Sequence, residues 1–528
     1  MSTSRLARLR GIAVLLGVLA AGPSAAALSA EEAAGRRLYE TGIGVSGEAP
    51  QARVGSGGLA LPASALPCAN CHGRDGRGRP EGGVTPPDIR WSELIKPYGH
   101  VHENRRRHGP FDADGFRIAV GDGLDPAGNR LDQAMPRYLF GARDLDNLRA
   151  YLRHLEKRAA RGVGDMHVQI GTLLPLRGPL ADAGKAVRGM LEAYFARVNA
   201  AGGIYGRRLE LVVAEYANDA ERSVDNLGHA LDDGDGVFAL LSPFAAGFER
   251  RLTDLAKARD LPVVAPVVLV PDNRPAANSH VFHLLSGGTE LARVLADYAR
   301  ATLELDNRDI VLVQSAGSAW DGAAQDVSAH LERGGDGSPG RTLFRRGLTD
   351  LDGMAAKLEA DGAKAVILLG GDLDPAVFAA AAARNDWYPE LLVPGPFASQ
   401  DVMALPPGFD GKVFVAYPSL PTDRDKATWQ DYLALLAEAG IDRAPHATLV
   451  ASYAGAELLV EALKRAGREL SREAMVLGLE KIQGFESGLL PPLTYNTTRR
   501  VGALGGYVVA VDLAKRVYRP IGPWRSLD

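Results

Sequence analysis

His167-Val168-Gln169-Ile170-Gly171-Thr172-Leu173-Leu174 alternates polar with apolar residues and then runs largely apolar, the pattern of a buried strand. Directly after it, Val187, Leu191, Tyr194, Phe195 and Val198 recur at helical spacing. The pattern then repeats downstream. Leu209–Ala214, Gly236–Leu241, Pro262–Pro266, Ile310–Gln314 and Ala365–Leu369 read as strands. Between and after them, Ala220–Leu231, Glu249–Arg259, Gly322–Glu332, Met354–Asp361 and Ala376–Arg384 read as helices. Strands alternating with helices of this length imply parallel sheets. About two such sheets are needed to use up the chain.

The whole chain has 528 residues, too many for one domain of about 100–200 residues. A hydrophobic content of 46% is ample for packed cores. The formal charge is -4, and a nucleic-acid partner is not expected from it. Met1–Ala27 reads as a secretory signal: Arg5, Arg8 and Arg10, the apolar run Gly11–Ala21, and the small residues Ala25-Ala26-Ala27. A membrane span needs about twenty apolar residues, and no stretch of that kind is present. No cysteine closely follows the leader, so a lipid anchor is not expected either. The mature protein is expected to be soluble and periplasmic, without a membrane anchor.

Cys68-Ala69-Asn70-Cys71-His72 supplies the chemistry of the N-terminal part. C-x-x-C-H is the attachment signature of a c-type haem, with two thiols adding to the porphyrin vinyl groups and the imidazole beneath the iron. Cys68 and Cys71 are the only cysteines, so no second pair completes a thiolate zinc site. One covalent haem c is expected, on Cys68 and Cys71 with His72 as proximal ligand. Apart from Met1, Met135 is the only methionine before Met166, and the sequence favours it as the sixth ligand. A thioether there raises the potential and suits reversible electron transfer. His100, His102, His108 and His154 are rival ligands.

This part resembles class I cytochrome c over residues 29–158. Ser29-Ala30-Glu31-Glu32 reads as a capping box opening a helix with Gly35, Leu38 and Tyr39. Leu145, Leu148, Leu152 and Leu155 recur at helical spacing at the far end, with Tyr151 beside them. The resemblance implies an all-α domain whose terminal helices cross near Gly35, Tyr39 and Tyr151. The Gly/Ser/Ala/Pro-rich loop from Gly42 to Pro67 departs from the family pattern.

After a linker at 159–165, residues 166–528 resemble type I periplasmic binding proteins of the branched-chain amino acid and amide group. Two motifs carry the likeness. Ile170-Gly171-Thr172-Leu173-Leu174-Pro175-Leu176-Arg177-Gly178-Pro179-Leu180-Ala181 is similar to the family's first strand and ligand loop. Asn199-Ala200-Ala201-Gly202-Gly203-Ile204-Tyr205-Gly206-Arg207-Arg208-Leu209 is similar to its helix-to-strand turn. The resemblance implies an α/β fold of two lobes, with the chain crossing between them and a cleft that closes on ligand. Amino-acid binders of the group grip their ligand through hydroxyls and an acid at three loops. Here those loops read Ser242-Pro243-Phe244-Ala245-Ala246-Gly247-Phe248, Ala265-Pro266-Val267-Val268-Leu269 and Gly395-Pro396-Phe397.

Expected ligand residues are therefore Phe244, Gly247, Val268, Trp320, Asp372 and Phe397, with backbone amides near Gly247 open to an oxygen of the ligand. The expected ligand is a small, largely apolar molecule with at most one anionic end, and not a free amino acid. Asp374 is the other carboxylate after Gly370-Gly371. No enzyme constellation stands out: His283, His330 and His446 are scattered, and Gly73-Arg74-Asp75-Gly76-Arg77-Gly78 follows no strand. Arg105-Arg106-Arg107 reads as a solvated face or a docking patch for an acidic redox partner. The expectation is a monohaem cytochrome fused to a solute-binding domain, coupling ligand sensing or ABC-type uptake to electron transfer, with a redox partner and a permease as partners. The alternative is an electron acceptor for a periplasmic dehydrogenase, its lobes recruiting substrate or enzyme.

Overall fold

The computed structural model describes residues 28–527, except 56, 79–82, 103–104, 158–160, 218, 235, 274–277 and 443–446. The leader expected at 1–27, part of the linker and His446 lie outside the described residues. The chain divides into two compact units, Met1–Arg158 and Ala159–Asp528.

In the first unit α1 (Ala30–Thr41) opens on the capping box of Ser29 and Glu32. β1 (Gln51–Val54) and β2 (Leu59–Pro62) follow, then α2 (Cys68–His72), α3 (Trp91–Leu94), β3 (His100–Val101) and β4 (Arg107–His108). α4 (Ala113–Gly121), β5 (Arg137–Tyr138) and α5 (Ala142–Lys157) complete it. The expected all-α domain is corrected here. The Gly42–Pro67 loop folds back as the β1–β2 hairpin, and β5 pairs with its other edge. Alternation decides this locally: Ala52 is buried while Gln51 and Arg53 face solvent. α1 and α5 pack closely, with Tyr39 and Tyr151 buried at 5.4 Å between ring centroids. Leu38, Leu148 and Leu152 share that core.

The second unit begins with β6 (His167–Leu174), α6 (Ala181–Ala200), β7 (Arg208–Glu215), α7 (Ala220–Asp232) and β8 (Ala239–Leu241). α8 (Glu249–Ala258), β9 (Val263–Val264) and β10 (Val281–Leu285) follow. The chain then crosses to a second lobe: α9 (Gly288–Ala301), β11 (Ile310–Ser315), α10 (Ser318–Gly334), β12 (Gly340–Phe344), α11 (Leu351–Ala360) and β13 (Ala365–Leu369). α12 (Pro375–Arg384), β14 (Glu390–Pro394) and β15 (Val413–Tyr417) extend it. α13 (Lys426–Glu438), α14 (Ala447–Ala466), α15 (Arg472–Glu480) and β16 (Val501–Ala503) return to the first lobe. β17 (Gly505–Asp512) and β18 (Val517–Ser526) finish the second.

Each lobe thus has its own sheet, ordered β16-β10-β9-β8-β6-β7 and β12-β11-β13-β14-β15-β17-β18. The strands are parallel except for the antiparallel β15-β17-β18 edge. β6 explains why periodicity was informative: Ile170 and Leu174 face the α6/α14 core, and Leu173 faces the α7/α8 side. Helices on both faces leave nothing for a polar side chain to reach, so such strands read as apolar runs. Among the described residues three crossings join the lobes: Leu285 to Gly288, Tyr417 to Lys426, and Ala503 to Gly505. Ser286 stitches two of them, accepting from Gly505 N–H at 2.8 Å and donating to Ala503 C=O at 3.2 Å.

Candidate functional site

Two sites emerge, one in each unit. In the first, α2 presents Cys68 and Cys71 three residues apart, so both thiols lie on one helix face. No disulfide joins them. Burial holds the Cys68 thiol up at about 12, so it stays protonated. His72 is buried, and its Nδ1 lies 3.0 Å from the Pro87 carbonyl. A carbonyl only accepts, so Nδ1 carries the proton and Nε2 keeps its lone pair. Burial, opposed by the Pro87 contact, lowers the His72 pKa and keeps the ring neutral.

These three residues line a cavity of about 560 Å³ whose wall also includes Tyr39, Met135 and Leu152. That volume falls within the ~300–1,000 Å³ of ligand and cofactor pockets. The donor set and the mostly apolar wall fit a covalently held haem. The cavity wall also carries His100, His102, Arg106 and His108. At least one ring nitrogen of each of the three histidines is already engaged. His100 Nε2 meets the Glu93 carbonyl at 2.6 Å, and His102 Nε2 receives Arg106 at 3.0 Å. His108 Nδ1 meets the Gly109 carbonyl at 2.7 Å, and the His102 and His108 Nε2 atoms approach to 2.9 Å. Burial, then the Arg106 charge, pushes His102 down to about 4, and burial lowers His108 as well. His154 instead lies 3.6 Å from Glu32.

Arg106 corrects the reading of a solvated triple arginine. It pairs with Asp125 at 2.7 Å, and the Asp125 side chain is fully buried. Removing one partner of such a pair costs about 3–5 kcal/mol. Arg105 and Arg107 remain exposed.

In the second unit the loops leaving β8 and β9 run side by side. Ala245 N–H donates to Val267 C=O at 3.0 Å, and Val267 N–H to Pro243 C=O at 2.9 Å. Both loops begin at a residue in the left-handed region, Ser242 (φ 48°) and Ala265 (φ 56°). Non-glycine residues there are strained, a feature that gathers at functional sites. Val268 is half-buried and Gly247 exposed. Phe244 is only 6% exposed and belongs to the core of its lobe, so its ring is packing and not an open ligand wall.

In the other lobe Trp320 meets Phe397 edge-on at 5.1 Å. Trp320 is half-buried, whereas Phe397 is 6% exposed. Asp372 is exposed, 3.8 Å from Arg346. Asp374 caps α12 through the Ala376 N–H and accepts from Ser399. The amides near Gly247, expected to be open, are not. Glu249 Oε2 accepts from Gly247 N–H at 3.1 Å, and Glu249 Oε1 accepts from Leu269 N–H at 3.2 Å. Sequence reading passed over Glu249, because nothing local signals a carboxylate that reaches across two loops.

Among the described residues no helix is long and apolar enough to cross a membrane. Nor is any group of three His, Cys, Asp or Glu arranged to hold a metal ion there.

Residues 167–516 match the family described as periplasmic binding protein. A Leu/Ile/Val-binding protein homolog of Brucella melitensis is 25% identical over 204 residues, 39% of this chain and 54% of that protein. The chain thus spans about half the length of the curated relatives it matches. A solved fatty acid ABC transporter substrate-binding protein from Thermomonospora curvata is 17% identical with a TM-score of 0.55, covering 70% of this chain and 95% of that one. A leucine-binding protein from Thermotoga maritima is 16% identical with a TM-score of 0.54, covering 68% and 99%. At such identities the solved structures speak for the fold alone.

Proposed function

The chain belongs to the periplasmic binding protein family, and on that premise we propose that it captures a small molecule in the periplasm and joins that capture to one-electron transfer through a single haem c. The haem is held by the first unit. The observation that carries the haem reading is the cavity wall on which Cys68, Cys71 and His72 stand together, with His72 Nδ1 tied to the Pro87 carbonyl. Bound there, a haem supplies a one-electron iron couple. The protein's part is to fix it by thioether bonds at Cys68 and Cys71, to orient the His72 ring through Pro87, and to exclude water with the apolar wall.

Met135 is the proposed sixth ligand. The Nε2 atoms of His100 and His102 are already bonded to Glu93 and Arg106, whereas Met135 brings a thioether to the wall of the same cavity as His72. In class I cytochromes c a methionine ligand gives a weak sulfur-to-iron absorption at the red end of the oxidised spectrum. Met135→Ala is expected to remove that absorption and lower the potential while leaving the haem attached. An unchanged red absorption in the variant assigns the ligand elsewhere.

The two-lobed unit is the proposed ligand receiver, delivering to an ABC permease or reporting to a redox partner. Of the residues in its three loops at 242–248, 265–269 and 395–397 only Ser242 carries a hydroxyl, and it is buried, while the carboxylate beside them, Glu249, is already engaged by two backbone N–H groups, so the loops present no exposed side-chain hydroxyl to the carboxylate of a zwitterion. Each unpaired polar group of a bound amino acid costs about 1–3 kcal/mol, so several together weaken binding by orders of magnitude. Calorimetry on the full chain is expected to show negligible heat with leucine or glutamate. Micromolar binding of either restores ordinary amino-acid capture.

A second reading has one observation behind it. Ile95, Tyr98 and Val101 are exposed beside Lys96, and Val101 also lines the cavity. An apolar surface continuous with the haem pocket suits electron uptake from a periplasmic dehydrogenase.

A further inference from the structure

The C-terminal ends of β8 and β9 bring two backbone donors to one point. Gly247 lies just before α8, Leu269 in the neighbouring loop, and both N–H groups are aimed at the carboxylate of Glu249, at 3.1 and 3.2 Å. The two loops are locked in parallel by the Phe244–Val267 bridge, so the convergence is built into the backbone. Donors of this kind at the start of a helix, and at the carboxyl ends of parallel strands, form a seat for an anion. Here the seat is filled from within the chain.

The same loop touches the other lobe's side of the cleft. Leu269 C=O accepts from Gly288 N–H at 3.1 Å. Gly288 lies so close to the Phe397 ring that an added Cβ would come within 2.5 Å of it. Contacts therefore run from Glu249 through Leu269 and Gly288 to the Phe397–Trp320 aromatic pair.

We infer that Glu249 is the specificity-determining residue of this cleft: its carboxylate occupies the anion seat, so the cleft selects ligands whose polar end is neutral, an alcohol or amide, over carboxylates. This rests on the proposal that the cleft is the ligand site and narrows its ligand class. A carboxylate ligand entering beside Glu249 meets a like charge and finds both N–H groups taken. A hydroxyl or amide can instead donate to the Glu249 oxygens, leaving its apolar body against Trp320, the half-buried member of the aromatic pair.

The test uses the full haem-loaded chain and two probes of equal shape, benzyl alcohol and benzoate, titrated by calorimetry into wild type, Glu249→Ala and Glu249→Gln. Glu249→Ala frees both N–H groups and removes the charge. Benzoate binding is expected to strengthen by on the order of tenfold to a hundredfold, the worth of one restored hydrogen bond to a charged group. Glu249→Gln keeps an acceptor without the charge and is expected to fall between. Far-UV dichroism and the haem spectrum check that each variant is folded, and Glu249→Gln decides if Glu249→Ala is not. No gain in benzoate affinity in a folded variant overturns the inference, as does wild-type protein that binds benzoate as tightly as the variant. The cleft reading is judged on a separate titration, benzyl alcohol into wild type, so the two failures are distinguishable.

Discussion

Replacing Cys68 and Cys71 together by alanine is expected to abolish haem staining of the chain on a denaturing gel. A thioether bond survives detergent and heat, whereas an iron–imidazole bond does not, so the stain reports the two cysteines and not His72. The two thiols share one face of the short Cys68–His72 helix, and both line the same cavity. Cys68 stands among buried residues, with its thiol kept protonated by desolvation. Each single variant retains one thioether and is expected to keep a weaker stain. His72→Ala keeps both bonds and is expected to stain while losing the normal visible spectrum. A double variant that stains like wild type refutes the haem proposal outright. On the haem proposal a stability effect accompanies the loss: a largely apolar cavity of about 560 Å³ without a haem in it deprives the surrounding core of contacts. The unfolding midpoint of the first unit is expected to fall with it.

Gly35→Ala is expected to disrupt the crossing of the terminal helices. An ideal Cβ at Gly35 would come within 2.0 Å of the Asn147 carbonyl oxygen and 2.8 Å of the Tyr151 Cβ. The first of these is helix backbone, which cannot rotate away. The helices must part, and the contact between Tyr39 and Tyr151 opens with them. Two effects compete. Alanine gains about 1 kcal/mol over glycine in helix propensity, while forcing atoms into a close-packed interface costs about 1–3 kcal/mol, occasionally more. Since the clash is with backbone, the cost is expected to win at its upper end. Denaturant unfolding followed by far-UV dichroism measures it. Gly189→Ala is the internal control, because an added Cβ there meets nothing closer than 3.8 Å, in the middle of α6. That variant is expected to be as stable as wild type or slightly more so. If Gly35→Ala behaves like Gly189→Ala, the tight crossing is absent.

The sequence by itself determined whatever a short window records. His167–Leu174 shows its burial because a strand covered on both faces needs apolar residues at nearly every position. Helix α6 shows its inner face because a 3.6-residue repeat returns Val187, Leu191 and Phe195 to the same side. The capping box at Ser29 and Glu32 was legible for the same reason, since its partners are three residues apart. Cys68, Cys71 and His72 form a motif that needs no tertiary knowledge to be noticed.

What only the tertiary structure decided involves partners far apart in the chain. Composition made Gly42–Pro67 look like a loop, yet β5, some eighty residues downstream, supplies the edge that completes its small sheet. Arg106 lost its place on a solvated face once the fold brought Asp125 to it. Phe244 and Phe397 looked like ligand walls because apolar residues at strand ends carry no mark saying whether a neighbour will cover them. Glu249 is the sharpest case. Its role depends on two backbone N–H groups, and a backbone donor carries no sequence identity at all. Periodicity is a one-dimensional trace of which face is dry. Where a hydrogen bond ends, and which charge is left to meet a ligand, is set by loops from different strands arriving at the same place.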